Sequence, residues 1–191
     1  MPALALLIAY LLGSIPTALL VARKMGGVDI RTVGDGNMGA HNVKNQFGWG
    51  AGILVAVVDF RKGALAVLFA QALGLDLVWQ IAALGAAVLG HGFPIFAGLR
   101  GGQGLATTLG GLTSLAFLEM VAGLILYGAI YLITRNSNLG ASIGTGSGIL
   151  LMWLTGRPPL LVISAIGIIL FIPAKMILDR PRREQIEARR T

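Results

Sequence analysis

The chain has 191 residues, of which 55% are hydrophobic and 12% charged, and a formal net charge of +7. Soluble domains carry roughly 25% charged residues, so the composition excludes an ordinary soluble domain. It also excludes intrinsic disorder, because disordered chains are poor in apolar side chains. The absence of cysteine excludes a disulfide scaffold, thiolate metal ligands and a cysteine nucleophile. The composition therefore predicts an all-α integral membrane bundle.

Seven apolar segments are candidates for membrane spans, since a spanning helix needs about 20 mostly apolar residues. They cover residues 3–22, 51–73, 77–97, 105–118, 120–134, 139–155 and 160–178. Pro16 lies inside the first segment, where a neighbouring helix, or Ser14 and Thr17, can satisfy the backbone groups that a proline frees. The two segments that flank Glu119 are short, so six spans are the alternative count.

Lysine and arginine residues collect in the loops on one side of a seven-span bundle. These residues are Arg23, Lys24, Arg31, Lys44, Arg100, Arg135, Arg180, Arg182, Arg183, Arg189 and Arg190. The loops on the opposite side hold Arg157 alone. Because basic loops stay in the cytoplasm, the amino terminus is predicted outside and the carboxyl terminus inside. A six-span count divides the basic loops between the two sides, which counts against it.

The last predicted span is followed by a basic segment. Residues 1–178 are predicted to form the membrane domain and residues 179–191 a basic cytoplasmic tail. Anionic lipid head groups would attract this tail. Nucleic acid is not an expected partner, because the chain lacks a surface that combines basic and aromatic residues.

A few polar residues in or near the apolar segments could carry chemistry. Asp59 and Lys62 lie three residues apart on one helix face, where they could form a structural ion pair or contact a substrate. His41 and His91 are the only histidines, and two histidines without a carboxylate cluster give no metal signature. Ser142 has no base nearby in the sequence, so a Ser–His nucleophile pair is not indicated. No metal and no cofactor is expected.

Glycines form three clusters. Residues 34–40 and 98–104 are glycine-rich loops on the same predicted side of the membrane. Such loops can direct backbone N–H groups at an anion, and a loop that leads into a helix adds the positive end of the helix dipole. The third cluster is Gly140, Gly144 and Gly148, whose spacing of four predicts a close helix–helix contact.

The motifs in these segments resemble those of the bacterial acyl-phosphate:glycerol-3-phosphate acyltransferases, the PlsY family. Residues 34–42 read GDGNMGAHN where the family has roughly GSGNxGATN, and residues 59–63 read DFRKG where it has DxxKG. Residues 90–96 (GHGFPIF) and 100–107 (RGGQGLAT) are similar to its GHx(F/Y)PxF and KGGKGxAT elements. The family's ASI element is similar to residues 141–143.

The resemblance covers nearly the whole chain and implies a seven-span bundle of the bacterial inner membrane with its motif loops in the cytoplasm. The family moves an acyl group from acyl phosphate to a hydroxyl of glycerol-3-phosphate, which yields lysophosphatidic acid in phospholipid synthesis. The catalytic candidates are Ser142, His91 and Asp59. The substrate-binding candidates that the motifs imply are Gly36, Asn37, Gly39, Asn42, Lys62, Arg100, Gly101, Gly102 and Gly104.

Several positions depart from the family pattern. Asp35 stands where the family has serine, His41 where it has threonine, Asn45 where it has arginine and Gln103 where it has the second lysine of KGGKG. The HRxN element expected at the end of the last helix has no counterpart. Both substrates of the family are phosphate anions. Hydrogen bonds to charged groups contribute about 1.5–3 kcal/mol each, so losing two or three predicts a loss of roughly 3–9 kcal/mol.

These departures favour a non-catalytic protein that serves as a structural or partner subunit of a larger membrane complex. His41 and Lys44 could compensate in part, although Lys44 is one position away from Asn45 and need not point the same way. Two alternatives stay open. One is an active acyltransferase that tolerates the changes, and the other is an enzyme with an altered acceptor that Asp35 faces. An assay with acyl phosphate and glycerol-3-phosphate separates the three.

Overall fold

A computed structural model describes residues 1–188, and every regular element in that range is helical. The α-helices of this range are α1 (Pro2–Ser14), α2 (Thr17–Gly26), α3 (Ala40–Phe47), α4 (Trp49–Ala72), α5 (Leu77–Gly92), α6 (Leu105–Leu115), α7 (Phe117–Thr134), α8 (Ser137–Leu154) and α9 (Pro159–Ala188). Two short 3₁₀ helices, Ile30–Thr32 and Ile95–Ala97, lie in the long loops. The predicted all-α class is confirmed. Arg189 and Arg190 of the predicted tail lie outside the described residues.

Within residues 1–188, four helical segments are long and apolar enough to cross a membrane. They are Pro2–Gly26, Leu77–Ala97, Phe117–Thr134 and Pro159–Ile186. The three other predicted spans correspond to α4, α6 and α8. Helix α4 has 24 residues but carries Asp59, Arg61 and Lys62, and α8 is rich in glycine and serine. Helix α6 has 11 residues, about 17 Å at ~1.5 Å per residue, so it is shorter than the ~30 Å hydrocarbon core.

The first predicted span is broken at Pro16, between α1 and α2. Proline cannot donate a backbone hydrogen bond and disrupts the helix around it. A neighbouring helix supplies a new partner, because Lys62 Nζ of α4 donates to the Ile15 carbonyl oxygen at 2.5 Å. Ser14 Oγ and Thr17 Oγ1 have no hydrogen-bond partner. Of the two predicted ways to satisfy the break, the chain uses the neighbouring helix.

The boundary between the two short predicted spans lies at Ala116, not at Glu119. Glu119 is in the first turn of α7 and its side chain is only 5% exposed. Its carboxylate accepts hydrogen bonds from Arg157 at 2.7 and 3.0 Å and from Thr155 at 2.9 Å. Because these donors pair the buried charge, Glu119 does not need the water that a loop would offer. The sequence-based boundary was therefore wrong.

Close approach of backbones holds the central helices together, with α4 packed against α1, α5 and α6. A Cβ atom at Gly63 of α4 would clash with the backbone of α6, and one at Gly110 of α6 would clash with the backbone of α4. Likewise, a Cβ atom at Gly13 of α1 would clash with the backbone of α5, and one at Gly90 of α5 would clash with the backbone of α1. Lipid provides no hydrophobic drive for helix association, so dense packing of this kind has to supply it.

The third glycine cluster also lies at a helix–helix contact. Gly140 and Gly144 pack against Tyr127 of α7, and a Cβ at Gly144 would meet the Gly123 carbonyl oxygen at 2.5 Å. Gly148 packs against α7 one turn further on. The predicted packing role of these glycines is confirmed.

Helix α9 continues without a break through residue 178 to Ala188. The first part of the predicted tail is therefore a helical extension of the last span. The division into a membrane domain (1–178) and a cytoplasmic tail (179–191) stays a prediction, as does the orientation of the bundle.

Replacing Gly110 with alanine is expected to lower the melting temperature, because the added methyl group would press on the Phe60 backbone of α4. Gly85→Ala is the matched control, since nothing lies within 4 Å of the added methyl on α5. Alanine in a helix is favoured over glycine by roughly 0.5–1 kcal/mol, so the control should be as stable as the parent or more so. Thermal unfolding in detergent measures both, and equal melting temperatures would contradict the close contact.

Candidate active site

A buried ion pair lies at the centre of the bundle. Asp59 and Lys62 are one turn apart on α4, their side chains are 3% and 4% exposed, and Lys62 Nζ lies 2.6 Å from Asp59 Oδ1. The same Nζ donates to the Ile15 carbonyl oxygen at the break between α1 and α2. The geometry supports the structural role that the sequence left open for this pair. Asp59 also lines the large cavity described below.

His91, near the end of α5, faces the Asp59 carboxylate. Its Nδ1 lies 3.9 Å from Asp59 Oδ1, which is beyond a direct hydrogen bond. The second glycine-rich loop packs over the histidine, and Gly102 N–H donates to the His91 carbonyl oxygen at 3.1 Å. A Cβ at Gly102 would collide with His91 Nε2 and with the Met38 carbonyl. Glycine is therefore required where the two glycine-rich loops meet at His91.

Asn42 organises the first glycine-rich loop from the inside. Its side chain is almost fully buried, and Nδ2 donates to the carbonyl oxygens of Ile30, Val33 and Asn37 at 3.2, 3.0 and 3.1 Å. Its Oδ1 accepts from Asp35 N–H at 3.4 Å. Since its amide is occupied by the loop backbone, Asn42 shapes the loop instead of presenting its side chain to a ligand.

A cavity of about 430 Å³ opens between the glycine-rich loops and helices α3, α4, α6, α7 and α8. The polar side chains of its wall are Asn37, His41, Lys44, Asp59, His91, Gln103, Ser137 and Asn138. The apolar and aromatic ones include Trp49, Ile53, Phe60, Leu105, Leu109, Leu124, Tyr127 and Tyr131. A cavity of this composition suits a ligand with one polar and one apolar part.

Two helix N-termini reach the wall of this cavity. Helix α3 begins after Gly39 and α6 begins after Gly104, and neither helix has a side-chain cap. The first N–H groups of a helix have no intrahelical partner and carry the positive end of its dipole. Such termini bind anions. Lys44 adds a full positive charge to the same wall, with its Nζ 4.7 Å from the centre of the Trp49 ring.

The structure brings only some of the predicted site residues to the wall of this cavity. On the wall are Asn37, Gly39, His41, Asp59, His91, Gln103 and Gly104. The other described candidates are off it, namely Gly36, Asn42, Lys62, Arg100, Gly101, Gly102 and Ser142, as are the altered positions Asp35 and Asn45. Ser142 is exposed on α8 and Arg100 lines a second, smaller cavity. Among residues 1–188 there is no group of three or more metal-ligating side chains.

Lys44, Ser137 and Asn138 line the cavity although none of them is among the predicted site residues, and Lys44 was considered only as a partial substitute for the missing arginine. A signal for Lys44 was present, because it lies four residues after Ala40, at the start of α3. Residues four apart share a helix face, and Ala40 lines the cavity as well. Ser137 and Asn138 carry no such signal, because only the packing of α8 on α7 brings them there.

These features define an integral membrane helical bundle with an amphipathic cavity whose polar wall can bind anions. The chain belongs to the glycerol-3-phosphate acyltransferase family, because the profile of that family matches residues 3–182. The glycerol-3-phosphate acyltransferase of Thermus thermophilus is 43% identical over 157 residues, which is 80% of this chain and 76% of that protein. Glycerol-3-phosphate acyltransferase 1 of Deinococcus radiodurans is 46% identical over 144 residues, which is 74% and 71%.

Solved structures agree with the sequence comparisons. The crystal structure of PlsY, an integral membrane glycerol 3-phosphate acyltransferase, in its glycerol 3-phosphate form superposes with a TM-score of 0.85 at 34% identity. The match covers 95% of this chain and 90% of that chain. The lysophosphatidic acid form of PlsY matches with a TM-score of 0.82 at 32% identity. The predicted family and the predicted membrane bundle are confirmed.

The expectation of a non-catalytic partner subunit is wrong. Relatives that are 43% and 46% identical to this chain over most of its length are named as acyltransferases. The expectation assumed that every altered motif position removes favourable charge from beside a bound phosphate. Asp35 Oδ1 accepts the backbone N–H of Asn37 at 3.0 Å, a turn contact that short polar side chains often make. Asp35 and Asn45 are off the cavity wall, whereas Lys44 is on it.

Lys62→Met is expected to destabilise the protein by about 3–5 kcal/mol, because it leaves the buried Asp59 carboxylate unpaired. Adding Asp59→Asn removes both charges and should recover most of that loss, since a buried ion pair and a neutral replacement are often similar in stability. Unfolding in detergent of the parent, the two single variants and the double variant completes the thermodynamic cycle. Additive losses in the double variant would contradict direct coupling.

Proposed function

We propose that this protein transfers an acyl group from acyl phosphate to a hydroxyl of glycerol-3-phosphate, which yields lysophosphatidic acid and phosphate. The observation that carries this proposal is the cavity of about 430 Å³, which joins two helix N-termini and a lysine to an apolar wall. Both substrates carry a phosphate, and the donor also carries an apolar chain. The acceptor alcohol follows from the names of the relatives, and the acyl phosphate donor from the PlsY resemblance of the motifs.

The two phosphates are assigned to the polar wall. Backbone N–H groups at the start of α3 and α6 would bind phosphate oxygens, and Lys44 would add the positive charge. Gln103 lies at the end of the second glycine-rich loop and lines the same wall, so its amide can donate another hydrogen bond. Charge-assisted hydrogen bonds of this kind are about twice as strong as neutral ones.

The acyl chain is assigned to the apolar wall between α4, α6 and α7. Ile53, Phe60 and Leu109 line it, together with Leu124 from α7. Burying apolar surface contributes roughly 25 cal/mol per Å², and it also holds the carbonyl carbon at the polar end of the cavity. Ile53 of this wall is exposed, which supports entry of the acyl chain from the membrane.

In the proposed reaction, the hydroxyl oxygen of glycerol-3-phosphate attacks the acyl carbonyl carbon and the bond from that carbon to the phosphate oxygen breaks. The N–H groups of the helix termini would stabilise the oxyanion that forms. His91 would accept the hydroxyl proton and pass it to the departing phosphate. Asp59, 3.9 Å from His91 Nδ1, would stabilise the protonated ring while Lys62 holds the carboxylate in place.

An altered acceptor has no support from the observation that suggested it, because Asp35 is off the cavity wall and its Oδ1 contacts the loop backbone. Association with further membrane subunits stays a prediction, and the proposed reaction does not require it.

Acyltransferase assays on purified protein test the proposal, with acyl phosphate and glycerol-3-phosphate as substrates. The parent protein is expected to turn over, and Lys44→Gln should raise KM by about 10- to 100-fold, the equivalent of one charge-assisted hydrogen bond. Lys24→Gln is the matched control, since Lys24 is an exposed residue of the same basic segment and is off the cavity wall. No turnover by well-folded parent protein would refute the proposal.

His91→Gln tests the assigned proton acceptor separately. It is expected to lower kcat by about 10²- to 10⁴-fold, the usual contribution of general acid–base catalysis, with little change in KM. In the parent, kcat should fall at acidic pH, where His91 is protonated and cannot accept a proton. This fall on the acidic side of the pH–rate profile, the acidic limb, should be absent in the variant. A variant that keeps the parent's kcat and acidic limb would exclude His91 from proton transfer and leave the proposed overall reaction standing.

A further inference from the structure

A second cavity, of about 180 Å³, lies apart from the proposed active site. It is bounded by the segment around Ile30–Thr32, by the second glycine-rich loop and by the carboxyl-terminal part of α9. It shares no lining residue with the large cavity among residues 1–188. Water occupies about 30 Å³ per molecule in the liquid, so the space admits a small polyatomic anion with water.

The described side chains that line this cavity include three arginines, Arg31, Arg100 and Arg182, and one carboxylate, Asp29. The carboxylate is matched by Arg31, whose Nη2 and Nε lie 2.6 and 2.9 Å from its oxygens. These side-chain hydrogen bonds are the main reason why the pKa of Asp29 lies below its ordinary value, with burial opposing them. Asp29 is therefore charged at neutral pH and the pair is neutral as a whole. Arg31 also donates to the Ala97 carbonyl oxygen at 2.7 Å, which ties the two loops together.

The charge of Arg182 is only partly matched, and the charge of Arg100 is not paired by any described side chain. Arg182 lies 3.4 Å from Asp179 Oδ2, but the same oxygen is 2.5 Å from Lys175 Nζ, so one carboxylate serves two cations. Arg182 also makes a long contact of 3.4 Å with the Gly36 carbonyl oxygen, and its buried Nε has no hydrogen-bond partner. No ion pair joins Arg100 to any of the side chains that the structure describes. A buried, unpartnered donor is costly unless a ligand satisfies it.

The geometry points to a phosphate-binding site in this second cavity, with Arg100 and Arg182 as its ligands and the Asp29–Arg31 pair as its rigid wall. Guanidinium groups present a planar fork of donors that matches phosphate oxygens, and here two arginines from different elements line one cavity. The ligand is a phosphate group with at least one unesterified face. It can come from inorganic phosphate or from the head group of a phosphomonoester lipid. The site does not depend on the proposed acyltransferase reaction.

³¹P NMR on the intact protein tests this site with two probes. The first is inorganic phosphate titrated into protein in phosphatidylcholine nanodiscs, and the second is phosphatidic acid incorporated in such nanodiscs. For the probe that binds, Arg182→Gln and Arg100→Gln are each expected to weaken binding about tenfold or more. Arg180→Gln is the matched control on α9, because Arg180 is 77% exposed and pairs with Glu184. It should bind like the parent.

The two arms identify the source of the phosphate. If inorganic phosphate binds to the parent and this binding is lost in both variants, the site is one for the free ion. If phosphatidic acid binds to the parent and this binding is lost in both variants, the site is one for a lipid head group. Because the large cavity is also proposed to bind phosphate, the titrations are repeated in a Lys44→Gln background, which should weaken binding there and leave binding in the second cavity intact. Binding in that background that is equally tight with and without Arg100→Gln and Arg182→Gln, or that is already lost with Lys44→Gln alone, would overturn the proposal, as would the absence of binding by both probes. Because Arg100 pairs with none of the described side chains, its variant tests the site even if Arg182→Gln disturbs the fold.

Discussion

The organisation of the bundle depends on one buried lysine. Lys62 Nζ donates both to Asp59 and to the Ile15 carbonyl oxygen at the break in the first span. An unpaired charge at this depth would cost several kcal/mol, and Asp59 pairs Lys62 within α4. A shift of α4 against α1 and α2 would break the contact of Lys62 with the Ile15 carbonyl oxygen. Asp59 in turn lies beside His91, on which the second glycine-rich loop packs. The ion pair thereby connects helix packing to the site.

Glycine explains how so many short helices meet around that pair. At Gly13, Gly63, Gly90 and Gly110 a single Cβ atom would collide with the backbone of a facing helix. The lack of a side chain also matters at the site, where Gly102 leaves room for the His91 ring. The glycines therefore allow two kinds of close approach, of helix against helix in lipid and of the second glycine-rich loop against His91. Other glycines, such as Gly85, face open space, so composition alone could not assign the purposes to positions.

The altered motif positions show why aligned residues cannot be scored as charges without a structure. Asp35 replaces a motif serine, yet its carboxylate completes a turn with Asn37. Lys44 is displaced by one position from the expected arginine, and one residue on a helix corresponds to a rotation of about 100°. Here that rotation brings Lys44 onto the cavity wall, because α3 begins at Ala40. The predicted loss of phosphate-binding charge was overestimated for this reason.

The sequence by itself determined the membrane class, the all-helical architecture, the packing glycines and the family, because hydropathy, glycine spacing and contiguous motifs are local properties. It could not decide that Glu119 lies inside a helix, that Ser142 and Arg100 are off the large cavity, or that α9 brings Arg182 beside Arg31 and Arg100. Each of these depends on which residues from distant segments meet. A buried charge is stable only with its partner, and only the tertiary structure supplies that partner.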